Sequence, residues 1–336
     1  DQDDGKEPTP EFCYNDQLHD LWDKLTLKVI EKMSDSRRVH CDDLRLIQGR
    51  HRQFYKMQLK KEELDKFEPS KEVKKDKNMK LCILAGGLGT RISEETQLIP
   101  KPMIDLGGKP IIWHIMKYYS MFGFNEFVIL GGYKIDVIKD YFKNYLHYSS
   151  KVMTIKTSTG EISHKNSGGE DWIIHIVDTG LNTMTGSRLL QAKSIIGEDT
   201  FALTYGDGLA DVNLNKLMDF HFDGKSTISL TSVQPVARFG ALEVDHNDTV
   251  LRFVEKPKNE GGWVNGGFMI CESNIFDYIQ SDTENVLETD VLMPIADQRG
   301  LGAYQHSGFW KPMDTLRDKV ELETMLKEDR ALWKIW

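Results

Sequence analysis

The sequence has 336 residues, of which 40% are apolar and 28% charged, and its formal net charge is −9 at pH 7. This composition is ordinary for a soluble protein, and the length allows one large domain or two with a substantial core. The acidic balance argues against general nucleic-acid binding, which needs a basic face, and no stretch reaches the apolar length of a membrane span. An acidic protein can still bind phosphates where its cations are concentrated at one site.

The four cysteines show no metal-binding pattern. Cys13, Cys41, Cys82 and Cys271 have neither a C-x-x-C spacing nor a Cys/His metal spacing, and Cys82 falls in a predicted buried strand. We therefore expect reduced thiols and a cytoplasmic protein rather than a disulfide framework.

The first 78 residues differ in pattern from the rest of the chain. Residues 43–66 have a mixed helical pattern, and residues 71–77 form a charged, linker-like run. An earlier apolar stripe at helical spacing consists of Leu18, Leu21, Trp22, Leu25, Val29 and Met33. We predict an N-terminal helical extension over residues 1–78, of unknown function, and a self-contained domain over residues 79–336.

A glycine loop follows the first strand of this domain. The apolar run 81–84 predicts a buried strand, and Gly86, Gly87 and Gly89 follow it. Such a loop brings backbone N–H groups close to a ligand, and the nearby cations Arg91 and Lys101 suit a polyphosphate. The loop matches neither the Walker pattern nor the dinucleotide fingerprint. A plain strand-to-helix turn with two surface cations is the alternative.

Strands and helices alternate through the first half of the domain. We predict strands at 127–130, 172–177 and 201–205, with helices from 111 to Gly123, at 135–146 and at 187–196. This order indicates a Rossmann-like, mostly parallel sheet flanked by helices, which binds ligands at the carboxyl ends of its strands.

The second half is richer in strands, predicted at 227–233, 241–244, 250–255 and 267–271, with a hairpin turn at 246–248. We expect these mixed strands to extend the sheet. A final helix over 315–328 should begin with a capping box formed by Thr315 and Asp318.

The loop motif resembles a known enzyme family. L-A-G-G-L-G-T-R at 84–91 followed by P-K-P at 100–102 is similar to the sugar-1-phosphate nucleotidyltransferases. S-E-E-T at 93–96 replaces the usual P-L-T and resembles the glucose-1-phosphate cytidylyltransferase branch. The resemblance covers residues 79–336. It implies a Mg²⁺-dependent enzyme that joins CTP and glucose 1-phosphate into CDP-glucose and pyrophosphate for polysaccharide biosynthesis, and a homo-oligomer without nucleic-acid or membrane partners.

The resemblance also implies site residues. Asp207 and Asp314 match the metal positions, and Mg²⁺ accepts one or two carboxylates completed by phosphate and water oxygens. Taken alone, Asp207 could be a turn aspartate and Asp314 a helix cap. Arg91 and Lys101 should meet the triphosphate, and Asp211 should be a supporting residue. For the sugar phosphate and the sugar hydroxyls, the matching residues are Lys256, Glu255, Gly240, Asn265 and Gly266.

The base is expected against the glycine loop and against the segment 177–188. The loop contributes Leu84, Ala85, Gly86 and Gly87, and the segment contributes Thr179, Gly180, Thr185, Gly186 and Arg188, with Asp207 also near the nucleotide. Two residues depart from the family pattern. Ile99 stands where the family has a second lysine. Ser187 stands where the family has a glycine, and its side chain could narrow the base loop.

Two other functions remain open at this point. The same chemistry could use UTP, dTTP or another sugar phosphate, because one hydroxyl or amino group decides such selectivity. A nucleotide-sugar-binding regulator without catalysis is the other alternative, although the cationic and acidic positions of the family are all present.

Overall fold

The computed structural model describes residues 79–235, 241–244, 250–254, 262–280 and 283–336. The predicted extension and its boundary, the hairpin turn at 246–248, and the site residues Gly240, Glu255 and Lys256 lie outside the described residues. Predictions made for them stay predictions.

The described residues form thirteen strands and nine α-helices. The strands are β1 Leu81–Ala85, β2 Glu126–Gly131, β3 Ser150–Lys156, β4 Glu161–Ser167, β5 Ile173–Asp178, β6 Phe201–Tyr205, β7 Gly208–Ala210, β8 Ile228–Val233, β9 Ala241–Val244, β10 Val250–Val254, β11 Val264–Cys271, β12 Leu301–His306 and β13 Trp310–Pro312. The helices are α1 Ser93–Thr96, α2 Ile111–Ser120, α3 Ile135–Lys143, α4 Tyr145–Ser149, α5 Thr185–Gln191, α6 Lys193–Ile196, α7 Leu214–Asp223, α8 Met293–Asp297 and α9 Leu316–Lys327. A π-helix occupies Leu287–Leu292.

The central sheet has seven strands in the order β12-β8-β11-β6-β1-β2-β5. All of them run in the same direction except β11, which is antiparallel to both β6 and β8. Three smaller ladders pair β3 with β4, β7 with β13 and β9 with β10. The predicted mostly parallel α/β sheet is confirmed, and β8 and β11 extend it as expected. The expectation that β9 and β10 also extend it was wrong, because these two strands pair with each other in a separate ladder.

Strand β1 shows how the sequence creates two apolar layers. Its alternate side chains Leu81 and Ile83 enter one core, which also contains the buried face of α2, while Cys82 and Leu84 enter the core on the opposite face. A strand buried on both faces must be apolar throughout, and burying each large aliphatic side chain contributes about 1.5–3 kcal/mol. Burial also raises the pKa of the Cys82 thiol.

Some predicted boundaries were wrong. The helix expected over 135–146 is interrupted at Asn144, and the helix expected over 187–196 starts at Thr185 and is interrupted at Ala192. The hairpin of β3 and β4 and the edge strand β12 were not predicted, because their exposed or half-buried side chains lack a strong apolar alternation. Among the described residues, no helix combines the length and apolar character needed to cross a bilayer.

The C-terminal residues dock on α2 through a buried histidine. The His114 side chain is 4% exposed, its Nε2 lies 2.7 Å from the Leu106 carbonyl, and its Nδ1 lies 3.5 Å from the Trp333 indole nitrogen. Since an indole N–H can only donate and a carbonyl can only accept, the ring is neutral with its proton on Nε2. Burial lowers the pKa of His114 to about 4.

This histidine predicts a pH dependence of stability. Between pH 6.5 and about 4, the unfolded state binds a proton at His114 that the folded state does not. The free energy of unfolding should therefore fall as the pH drops through this window, by about 3 kcal/mol in total. Urea unfolding between pH 4.5 and 7.5 should show a shallower decline for His114→Gln than for the wild type. His147→Gln, at an exposed helix position, is the control, and equal slopes in all three proteins would contradict the assignment.

Candidate active site

Four parallel strands end at one edge of the sheet, and the predicted site residues follow them. The loop after β1 carries the glycines, the loop after β5 carries Thr179 and Gly180, and the turn after β6 carries Asp207. The end of β2 and the loop after it contribute Gly131 and Gly132, which sequence reasoning missed. Because parallel strands place their carboxyl ends together, residues far apart in sequence share one cleft.

The glycine loop closes tightly over the residues that follow it. Gly89 has φ +64°, and a Cβ at this position would lie 2.8 Å from Thr96 Cγ2 and 3.2 Å from Lys101 Cβ. The Thr96 hydroxyl donates to the Gly89 carbonyl at 3.1 Å, while its own carbonyl accepts from the Tyr133 hydroxyl at 3.0 Å. Another residue of the S-E-E-T segment, Glu95, forms an ion pair with Lys319 of α9 at 2.6 Å. The S-E-E-T segment therefore holds the glycine loop in place.

One buried guanidinium joins three of the loops. The Arg188 side chain donates through Nη1 to the carbonyls of Gly131 at 3.2 Å and Gly180 at 2.8 Å. Through Nη2 it donates to the carbonyls of Gly86 and Leu181, both at 3.2 Å. Arg188 is 4% exposed, and burial lowers its pKa. Its predicted contact with the nucleotide stays a prediction, and in the structure its guanidinium donates to carbonyls of the loops after β1 and β5 and at the end of β2.

The glycines around this guanidinium leave room for it. A Cβ on Gly86 or on Gly132 would overlap the Arg188 side chain. The Thr179 hydroxyl also accepts from Arg188 and donates to the Gly131 carbonyl at 2.5 Å. Gly180 has φ +84° and completes the turn. Gly87, by contrast, is exposed and has open space where a Cβ would stand.

A lysine ammonium lies between the two predicted metal ligands. Lys101 Nζ is 2.6 Å from Asp207 Oδ2 and 2.7 Å from Asp314 Oδ1. Arg91 reaches only Asp314, at 3.0 Å, with its side chain 75% exposed. Burial alone would lower the pKa of Lys101, but the charges and hydrogen bonds of both aspartates outweigh it and raise that pKa. The cations and the carboxylates predicted from sequence are therefore brought together.

The β7–β13 ladder places the two aspartates side by side. Gly208 pairs with Pro312, and the Met313 amide donates to the Asp207 carbonyl at 2.8 Å. Thr315 and Asp318 form the predicted capping box of α9, so the Asp314 carboxylate is not needed as the helix cap. Asp211, at the other end of β7, accepts from the Phe309 amide at 2.6 Å. Asp211 thus supports the loop before β13.

The pair of aspartates fits a magnesium ion. A single cationic group already reaches both carboxylates within 2.7 Å, and both carboxylates are partly exposed to the cleft. Magnesium takes one or two carboxylates and fills its remaining positions with phosphate and water oxygens. Within the described residues there is no group of three or more acidic, histidine or cysteine side chains suited to a metal. The site would therefore depend on a phosphate ligand for further oxygens.

The predicted sugar side of the cleft contains a carboxylate that sequence reasoning missed. The Tyr205 hydroxyl donates to Glu288 at 2.5 Å and accepts from the Asn265 amide at 3.3 Å. Burial and the nearby Glu288 charge raise the pKa of Tyr205. Glu288 lies in the π-helix, a conformation that often marks functional sites and has no simple periodic signal. The Gly266 carbonyl accepts from the Trp310 indole at 2.8 Å.

Thr185 and Gly186 lie against the same π-helix and the residues before it, and their predicted contact with the base stays a prediction. The Thr185 hydroxyl donates to Glu288 at 3.1 Å, and a Cβ on Gly186 would lie 3.0 Å from the Asn285 carbonyl. The Ser187 hydroxyl accepts from the Asn285 amide at 2.8 Å, so this residue also packs against that segment. The described geometry connects these three residues to the segment 285–288.

Comparison with known proteins identifies the family. Residues 80–326 match the nucleotidyl transferase family. The chain is 46% identical over 260 residues to the glucose-1-phosphate cytidylyltransferases of Salmonella typhi and Salmonella typhimurium, which covers 77% of this chain and 100% of each of those proteins. The chain belongs to the nucleotidyl transferase family. It is a sugar-1-phosphate nucleotidyltransferase.

Solved structures agree with this assignment at the level of the fold. The crystal structure of HddC from Yersinia pseudotuberculosis complexed with GMP-PN has a TM-score of 0.54 and 22% identity, covering 74% of this chain and 99% of that one. The match shows that the two chains share a fold.

The Arg188 contacts in this nucleotidyltransferase lead to a prediction. Arg188→Lys should lower the free energy of unfolding by about 3 kcal/mol, because one ammonium cannot replace a guanidinium that serves four carbonyls in a buried site. The KM for the nucleotide should rise as well, since the loops at Gly86 and Gly180 lose their common anchor. Urea unfolding and steady-state kinetics measure the two effects.

The matched control is Arg330→Lys, because Arg330 is exposed and pairs with the exposed Glu328. Its stability should change by less than about 0.5 kcal/mol. An Arg188→Lys variant with wild-type stability and a raised KM would instead indicate direct contact with the nucleotide.

Proposed function

We propose that this nucleotidyltransferase joins CTP and α-D-glucose 1-phosphate to give CDP-glucose and pyrophosphate, with Mg²⁺ bound by Asp207 and Asp314. The observation that carries the proposal is the cluster of Lys101, Arg91 and two aspartates beside a glycine loop. The 46% identity to cytidylyltransferases over their full length supports the choice of substrates. CDP-glucose of this origin would serve polysaccharide biosynthesis in the cytoplasm.

The chemistry needs positioning and charge rather than a base. An oxygen of the sugar phosphate attacks the α-phosphorus of CTP, the bond to the β-phosphate oxygen breaks, and pyrophosphate leaves. The nucleophile is already ionised, so the site must bring two anions together and stabilise the added charge. When bound, Mg²⁺ would supply part of this stabilisation by contacting phosphate oxygens.

The residues divide into a triphosphate side and a sugar side. Arg91 and Lys101 would bind the triphosphate, and the backbone at Gly86 and Gly87 would lie against the cytosine. Asn265 would bind a sugar hydroxyl, held by the Tyr205 and Glu288 contacts. The family resemblance adds Lys256 for the sugar phosphate and Glu255 for the sugar hydroxyls.

A substrate survey tests the proposed specificity. Pyrophosphate release measured with CTP, UTP, dTTP and GTP, each with several sugar 1-phosphates, should give the highest kcat/KM for CTP with glucose 1-phosphate. A preference for UTP or dTTP would contradict the base assignment but not the family. Binding of CDP-glucose without any turnover would favour a regulator.

Asp207→Asn and Asp314→Asn test the metal ligands. Each should lower kcat by about a hundred- to a thousandfold while the melting temperature changes little, since an asparagine keeps the shape but loses the charge. Asp211→Asn is the matched control, because its contact with Phe309 is structural and its loss should affect stability more than kcat. Near-normal turnover of either variant at low magnesium would assign that aspartate a structural role.

A further inference from the structure

Lys101 has a position that triphosphate binding alone does not explain. Its ammonium contacts no backbone carbonyl that the structure records but reaches both aspartates at 2.6 and 2.7 Å, with only 12% of its side chain exposed. These two carboxylates are the same groups that fit a magnesium ion. The lysine therefore stands where a cation shared by both carboxylates would stand.

The two carboxylates need a cation in order to lie together. Each carries a negative charge and is at most 30% exposed, so water screens their mutual repulsion only in part. The β7–β13 ladder fixes their backbones side by side, which prevents them from separating. Arg91 cannot fulfil this need, because it reaches one aspartate only and is mostly exposed.

We propose that Lys101 occupies the divalent-cation position of the nucleotide-free protein and leaves it when the metal binds. The lysine and the metal then compete for Asp207 and Asp314, and each excludes the other. This step rests on the proposed function: the bound triphosphate draws the lysine away from the aspartates, because its oxygens offer the ammonium other anionic partners. Nucleotide binding and metal binding are thereby coupled through one side chain, and the coupling is reciprocal.

The competition predicts a gain of metal affinity on removal of the lysine. If Lys101 fills the cation position about nine-tenths of the time, only a tenth of the molecules can bind a metal, and the apparent Kd for the metal is raised about tenfold. Lys101→Met and Lys101→Gln should then bind one Mn²⁺ per chain about tenfold more tightly than the wild type, without nucleotide. Electron paramagnetic resonance of free Mn²⁺ in a titration of the purified protein measures this Kd without any assay of activity.

Two control variants test whether the gain in Mn²⁺ affinity arises at the two aspartates. Lys117→Met removes a lysine of similar burial that pairs with a single carboxylate, Glu170, at 2.8 Å, and its Mn²⁺ affinity should equal that of the wild type. The double variant Lys101→Met with Asp207→Asn should lose the gain, because only one charged ligand is left. A gain that persists in the double variant would overturn the proposal.

Thermal unfolding gives an independent reading. Without its ammonium, the Lys101→Met protein should melt at a lower temperature, and Mn²⁺ should raise that temperature more than it does in the wild type. Lys101→Gln, which keeps a hydrogen-bond donor, serves if the methionine variant is too unstable to purify. Unchanged or weaker Mn²⁺ binding in the lysine variants would overturn the proposal. Absence of turnover with CTP in the wild type would refute the proposed function and leave the Mn²⁺ result valid.

Discussion

The buried guanidinium of Arg188 is the interaction on which the predicted nucleotide side of the cleft depends. Among the described residues no carboxylate forms an ion pair with it, and carbonyl oxygens from the end of β2 and the loops after β1 and β5 accept its hydrogen bonds. Buried carbonyl groups must be hydrogen-bonded, so the three loops converge on the donors of this one side chain. The guanidinium also requires glycine at positions 86 and 132, because a Cβ at either position would overlap it.

A second constraint is the balance of charge around Lys101, beside the glycine loop. The chain carries nine more negative than positive charges, yet Lys101 and Arg91 are directed at one point beside the glycine loop. The carboxylates opposite them come from turns that flank the short β7–β13 ladder. Because this ladder fixes backbone positions, the site holds its charged groups at short distances without a large change of conformation. Such preorganisation is what transfer between two anions requires.

The predicted sugar side of the cleft is organised by hydrogen bonds that converge on the Glu288 carboxylate. Tyr205, directly before the turn that carries Asp207, connects Asn265 on β11 to Glu288 on the π-helix. The same Glu288 accepts from Thr185 at the start of α5. The turn that carries Asp207 is therefore joined to both the predicted base segment and the predicted sugar turn. Its position depends on these contacts as well as on the strand that leads into it.

The sequence alone determined the fold class, the family and the residues of the cation and carboxylate cluster. Strand β1 is apolar at every position because it is buried on both faces, and the Thr315–Asp318 box marks the start of α9 through local hydrogen bonds. Only the tertiary structure decided which side chains meet. Lys101 contacts carboxylates 106 and 213 positions away, and Arg188 meets a carbonyl 102 positions before it. Sequence periodicity reports local burial, whereas these contacts arise from strand order and ladder register, which no local pattern encodes.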